Sequence, residues 1–358
     1  MRAYLEVLSD RRARWPLLTS ALARFAPGMI AIGLVLTVRE AGYGYAVAGL
    51  VAGAHQLGVG IGSPVQGRLA DRLGHPRVLV PDALLYLAGT TTLVLGTGRG
   101  WPATAVIAIA LVTGAVQPPT TPCSRALLGT LFASGRLRET VFAMTSISVE
   151  LGFILGPLGV VALAAGLGAR WAVLAAGLFA AAGAIAYART ESVRTAVLVP
   201  RATGRAGALE SVGLRVMVLA YATIAASFGT FDLVAAAVAE RSGVPSAAGM
   251  LVSIIAFGSL LGGITYGSRV WPGTPLVRMR VMVVVFALML AMVPLTLDRL
   301  MVLGALLLAM GASIGPMNIS AFQVIDDLSP PSARAEAQSW TQASVFIGSA
   351  GGAAMGGA

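Results

Sequence analysis

Apolar residues run along this chain in blocks of roughly 20, each closed by a short polar or Gly/Pro-rich interruption. That is the length a helix needs to cross about 30 Å of hydrocarbon. The pattern predicts membrane spans at about 17–38, 45–66, 78–98, 102–122, 141–163, 169–188, 214–237, 246–268, 279–297, 300–321 and 338–358. The fold class expected is therefore all-α, a polytopic membrane protein with about eleven transmembrane helices. Ahead of the first block stands a basic tail with Arg2, Arg11, Arg12 and Arg14. No small-residue cleavage site follows a short apolar stretch, so the first block reads as a retained helix and not as a signal peptide.

Composition agrees with lipid as the solvent. The chain is 57% hydrophobic and 11% charged, against about 25% charged in soluble domains. Its net charge of +10 comes from 25 basic residues, all Arg. These punctuate the gaps between apolar blocks and form no aromatic-interleaved patch, so nucleic acid is not an expected partner. With no Lys in the chain, a Walker A site is impossible. One Cys (Cys123) and two His (His55, His75) offer neither a disulfide framework nor a metal cluster. No nucleophile elbow or zinc-protease helix is present, so neither an enzyme activity nor a cofactor is expected. The Arg distribution also orients the chain. Nineteen lie in the tail and the even-numbered connections, whereas Arg39, Arg99, Arg170, Arg241 and Arg299 make five on the other side. The positive-inside rule then puts the N-terminus in the cytoplasm, with the chain multi-pass in the inner (plasma) membrane.

The longest polar stretch, 189–213, separates two groups of spans. At an offset of 200, Glu40, Gly49, Gly62 and Gly67 fall on Glu240, Gly249, Gly262 and Gly267. At an offset of 197, Gly114, Pro119, Glu139 and Gly159 fall on Gly311, Pro316, Glu336 and Gly356. This ordered repeat divides the chain into a first half, 1–188, a cytoplasmic linker, 189–213, and a second half, 214–358. The sixth span predicts a partner near 366–385, so the second half is expected to stop after an eleventh helix.

The connection after the second span reads Gly67-Arg68-Leu69-Ala70-Asp71-Arg72-Leu73-Gly74-His75-Pro76-Arg77. Two glycines permit a tight turn, and an Asp among arginines can join neighbouring helix ends in a charge cluster. This closely resembles the signature loop of the major facilitator superfamily, and with the repeat the resemblance covers essentially the whole chain. It implies two pseudo-symmetric six-helix bundles, the second incomplete here, working by alternating access. By the same resemblance Gly67, Asp71, Arg72, Gly74 and Arg77 act as a conformational latch on the cytoplasmic side. The counterpart loop, Gly262 to Arg280, has no Asp, so any latch there is degenerate. The fifth span carries Gly152, Gly156, Pro157 and Gly159, which look like the core of the antiporter motif of exporters in this superfamily. Close helix approach at the glycines and a bend at Pro157 are expected. Gly348, Gly352 and Gly356 repeat the device and predict packing against a helix of the other half. The Arg often found in the fourth span of proton-linked members is missing from 102–122, and Arg125 sits at that span's end.

Ionisable or polar groups at bilayer depth are functional candidates because burying them is costly. Glu150 lies about 14 Å along the fifth span at the helical rise per residue, near the midplane, where a carboxyl can carry a coupling proton. Arg24 in the first span could bind an anionic substrate group, pair with Glu150, or extend its stem to the interface. Asp232 in the seventh span, Gln117 before Pro118-Pro119 in the fourth, and His55 in the second complete the candidate set. Asp82 reads as an acidic residue favoured by a helix N-terminus. The function expected is secondary active transport, with proton-coupled export of a small amphipathic or drug-like compound and a proton or other ion as the coupling partner. Uptake of a sugar by the same fold, or a non-transporting sensor or inactive fragment, stay open as alternatives.

Overall fold

The computed structural model describes residues 2–132, 135–196, 207–242, 247–269, 271–297 and 299–356, with backbone only at 2, 229, 232–242, 247–249 and 353–356. The described chain is all-α, as lipid requires of a segment that must satisfy its own backbone polar groups. A short helix α1 (Arg2–Ser9) precedes α2 (Arg11–Ala23), α3 (Phe25–Glu40), α4 (Tyr45–Leu73), α5 (His75–Gly98), α6 (Ala103–Ala115) and α7 (Thr120–Leu131). Then come α8 (Arg136–Leu167), α9 (Ala169–Ala188), α10 (Glu191–Arg194), α11 (Val212–Ser242), α12 (Ala247–Gly267), α13 (Pro275–Met292), α14 (Leu300–Leu328) and α15 (Arg334–Gly356). Among the described residues nine helical segments are long and apolar enough to cross a bilayer, with α2–α3 and α6–α7 each counted as one. The apolar part of α11, Val212–Phe228, is shorter, and α15 is not among the nine.

The helices run past the apolar blocks at the end that carries the basic tail. The fourth span extends to Leu131 and not to 122, so Arg125 lies inside it, on α7, and is buried. That corrects the expectation of a fourth span without Arg: Thr120, Thr121, Ser124 and Arg125 are polar, yet they face other helices and so remain helical. Asp82 is likewise not at a helix start, because α5 begins at His75. Asp10 caps α2 by accepting from the Arg12 backbone N–H at 2.8 Å, and its bond to the Arg12 guanidinium holds its carboxyl below the usual range.

Glycines set how these helices cross. In lipid no hydrophobic drive pulls helices together, so close backbone contact and packing must do it. On α4, a Cβ at Gly58 or Gly62 would strike the backbone of Leu111 or Ala115 on α6, and one at Gly114 would strike that of His55. The α12–α14 crossing uses the same device: Gly258 meets Leu308, Gly262 meets Ala312 and Gly311 meets Ile255, again on backbone atoms. On α8, Gly152 abuts the Arg24 carbonyl and Gly156 the Gly28 backbone, while α15 sets Gly348 and Gly352 on Ala222 and Ala226 of α11. Gly348 and Gly352 therefore pack on α11, the helix that follows the 189–213 stretch, and not on a helix of the first half as the sequence suggested. They occupy the place that Gly152 and Gly156 take on α3, and the other side of α15 meets α4.

Two antiparallel seams join the helices before residue 189 to those after it: α4 against α15, and α8 against α12 and α14. In the first seam Gly60 faces Ile347 and Gly67 faces Ser339 and Ala335; in the second, Gly263 faces Ile147 and Gly267 faces Ala143. α1 lies against α8 at the tail-bearing end, where Tyr4 donates to the Ile264 carbonyl on α12 at 3.2 Å.

Candidate functional site

Two of the spans are interrupted at mid-depth, and the interruptions meet. Pro27 has no N–H to give the carbonyl one turn back, and the first span breaks at Arg24, which ends α2 and precedes α3. Pro118 and Pro119 break the fourth span between Ala115 and Thr120. Ala23, Pro27, Gln117, Thr120, Thr121 and Gln342 are among the residues that line a small cavity there, about 20 Å³, room for one water. The later spans α11 and α14 run through without such breaks.

Arg24 is 3% exposed. Its terminal nitrogens donate to Ser148 on α8 and Ser124 on α7, both at 2.7 Å. Glu150 does not pair with it. Its carboxylate accepts instead from the Ser259 hydroxyl of α12 at 2.8 Å, across the second seam. Of the sequence candidates, Gln117 lines the cavity, Arg24 follows the lining residue Ala23 in the chain, and Glu150 lies on the seam two residues beyond Ser148. His55 is elsewhere, buried with its Nε2 3.3 Å from the Tyr86 hydroxyl between α4 and α5. The Asp232 side chain lies outside the described residues. A Cβ added at Gly159 would meet only the Met29 methyl, at 3.8 Å, and α8 runs unbroken past Pro157.

The tail-bearing ends of the seams are held by charge. Asp71 accepts from the backbone N–H groups of Ala335 and Glu336 at 3.0 and 2.8 Å, an acidic cap on the N-terminus of α15. Arg68 reaches Glu336 at 3.7 Å, and Arg278 reaches Glu139 at 2.7 Å. Arg138 binds Asp326 and Asp327, each at 2.7 Å, with Arg334 3.8 Å from Asp326. Arg72 is exposed, and among the described residues Arg77 donates only to the Leu73 carbonyl at 3.4 Å. Gly74 turns the chain between α4 and α5 at φ 91°, ψ 145°, a conformation that costs a side chain about 1–3 kcal/mol. Gly74→Ala is expected to lower the thermal midpoint accordingly without loss of expression; an unchanged melting curve would show the turn to be adaptable.

Sequence reasoning missed Ser259, Asp326, Arg278 and the burial of Arg125. Glu139 and Glu336 did appear, as matched positions of the repeat, but without a role. Their equivalence becomes meaningful only with the partners in place: each receives an Arg from the other side of the 189–213 stretch.

The Major Facilitator Superfamily model matches residues 16–353. Among solved structures, the human organic anion transporter MFSD10 (TETRAN) aligns with a TM-score of 0.69 at 18% identity, covering 98% of this chain and 92% of that one. A bacterial homologue of the iron transporter ferroportin, in an outward-facing state, aligns with a TM-score of 0.77 at 14% identity over 96% and 91%. The proton:xylose symporter XylE, bound to 6-bromo-6-deoxy-D-glucose, gives 0.63 at 13% identity over 94% and 86%. No curated protein matches the chain in sequence.

Proposed function

The chain belongs to the major facilitator superfamily, a multi-pass secondary transporter of a small molecule and not an enzyme, and from that premise we propose that it exports its substrate in exchange for protons. Two pseudo-symmetric bundles, 1–188 and 214–358, would rock about the central site, with 189–213 as a cytoplasmic linker. The glycine crossings that recur in both groups support this division. The predominance of Arg on the tail-bearing side supports a cytoplasmic N-terminus. The charged contacts at that end support a conformation sealed toward the cytoplasm, in which Gly67, Asp71 and Gly74 would serve as the latch. Gly152, Gly156 and Pro157 favour export, by likeness to the antiporter motif, of a small amphipathic compound.

The observation that carries proton coupling is the Glu150–Ser259 bond. It places a carboxylate on the seam that alternating access must open, so its protonation state and the separation of α8 from α12 are linked. Charged, Glu150 needs Ser259 as a donor in a dry interface; protonated, it can part from Ser259 without exposing a charge to lipid. Glu150→Gln is expected to abolish transport driven by a pH gradient in proteoliposomes while leaving substrate counterflow intact. Full pH-driven transport by the variant would end this assignment.

A further inference from the structure

Among the described residues the buried arginines come in two kinds. Arg278 is 2.7 Å from the Glu139 carboxylate, as the half-buried Arg138 is from Asp326. Arg24 and Arg125 have no carboxylate partner there, although they are 3% and 7% exposed. Arg24 bonds only to two neutral hydroxyls, and its Nε has no partner. Arg125, the residue after Ser124, has no hydrogen bond or ion pair among the described residues; its guanidinium carbon lies 3.5 Å from the centre of the Phe322 ring on α14. The two cations are brought into one neighbourhood by Ser124, whose hydroxyl accepts from Arg24 and whose chain neighbour is Arg125. Two unpaired like charges inside a membrane protein are costly; Glu150 is committed to Ser259 and Asp326 to Arg138 and Arg334, while Asp82 of α5, whose Oδ2 has no partner among the described residues, is bonded to neither arginine.

We propose that Arg24 and Arg125 form the anion-binding end of the substrate site, so that the transported compound is an organic anion whose carboxylate or sulfonate supplies the missing counter-charge. The inference rests on the transport reading for its site, the mid-depth meeting of the two broken spans. The Thr120 hydroxyl, buried without a partner, lines the adjoining cavity as a further donor. Across from Arg125, Phe322 stacks on Tyr221 with ring centroids 6.2 Å apart, and the Tyr221 hydroxyl donates to Asn318. A compound with an aromatic or aliphatic body and one acidic group suits this pairing: guanidinium groups on the first-half side, an aromatic wall on the other.

The test uses the full chain in phosphatidylcholine nanodiscs, with 1-naphthoate and naphthalene-1-sulfonate as probes and neutral 1-naphthamide as their control. The two anions are expected to raise the thermal midpoint in a dose-dependent way, and the amide is not. Arg24→Gln and Arg125→Gln should each weaken anion binding at least tenfold while melting, ligand-free, no lower than the parent, because each removes an unpaired buried charge. Arg12→Gln, at an exposed tail position, should bind as the parent does. Equal stabilisation by the amide, or undiminished anion binding in both variants, would overturn the site. The parent's discrimination between naphthoate and naphthamide decides the matter even if a variant fails to fold. Naphthoate that binds but never exchanges in counterflow would remove the transport reading and leave the anion site. Exchange of a cation such as ethidium, with no naphthoate binding, would do the reverse.

Discussion

Gly152→Val is expected to leave almost no folded protein, measured as the monodisperse fraction on size-exclusion chromatography in mild detergent. Its Cβ would enter the Arg24 carbonyl, which is backbone and cannot turn aside as a side chain could. Ordinary overpacking in a core costs about 1–3 kcal/mol, and here the whole α3–α8 crossing would have to separate. Gly156 stands one turn further on against the Gly28 backbone, so the helices cannot pivot about one contact to relieve the other. The internal control is Gly159→Ala, which meets only the flexible end of Met29 and should be nearly neutral. Comparable recovery of the two variants would show that the crossing is looser than described.

Asp326→Asn is expected to break the closed conformation while sparing the fold of each half. Asp326 is 2% exposed and gathers Arg138 of α8 and Arg334 of α15. Removing one partner of a buried pair costs about 3–5 kcal/mol because the other charge is stranded. Asp327, half exposed, keeps part of the Arg138 contact, so the loss belongs at the lower end of that range, still on the order of a hundredfold in the ratio of closed to open molecules. Spin labels at the exposed positions 72 and 280 should show a longer distance in the variant by pulsed electron resonance, and pH-driven transport should fall by a similar factor. An unchanged distance distribution would mean that Asp326 does not contribute to closure.

Much of this architecture was legible because lipid imposes a simple code: a helix exposed to hydrocarbon must be apolar for about 20 residues. The sixth span, 169–188, matches α9 to the residue. Where the code fails, the helix faces protein. The fourth span continues through Thr120, Thr121, Ser124 and Arg125 because those side chains turn inward, and a hydropathy window stops there. The candidate site shows the same limit. Depth along a helix picked out Arg24, Gln117 and Glu150, since depth follows from residue counting. Their partners did not follow, because Glu150 and Ser259 are 109 positions apart and meet only once two seams have formed. Arg24 was open to several readings for the same reason: whether an arginine pairs, extends to the interface or waits for an anion depends on which hydroxyls or carboxylates come to surround it.

The reciprocal Arg–Glu contacts carry one further consequence. Although the Arg68 side chain as a whole is 38% exposed, the Nε that meets Glu336 is buried and Glu336 is 6% exposed, while Arg278 and Glu139 are 9% and 17% exposed. Mobile ions screen wet pairs far more than dry ones, over a Debye length of about 10 Å at 0.1 M salt. Both contacts meet at sheltered atoms, so raising ionic strength on the tail-bearing side is expected to leave the α4–α15 pair and the α8–α13 pair alike in place, and salt does not choose which side parts first.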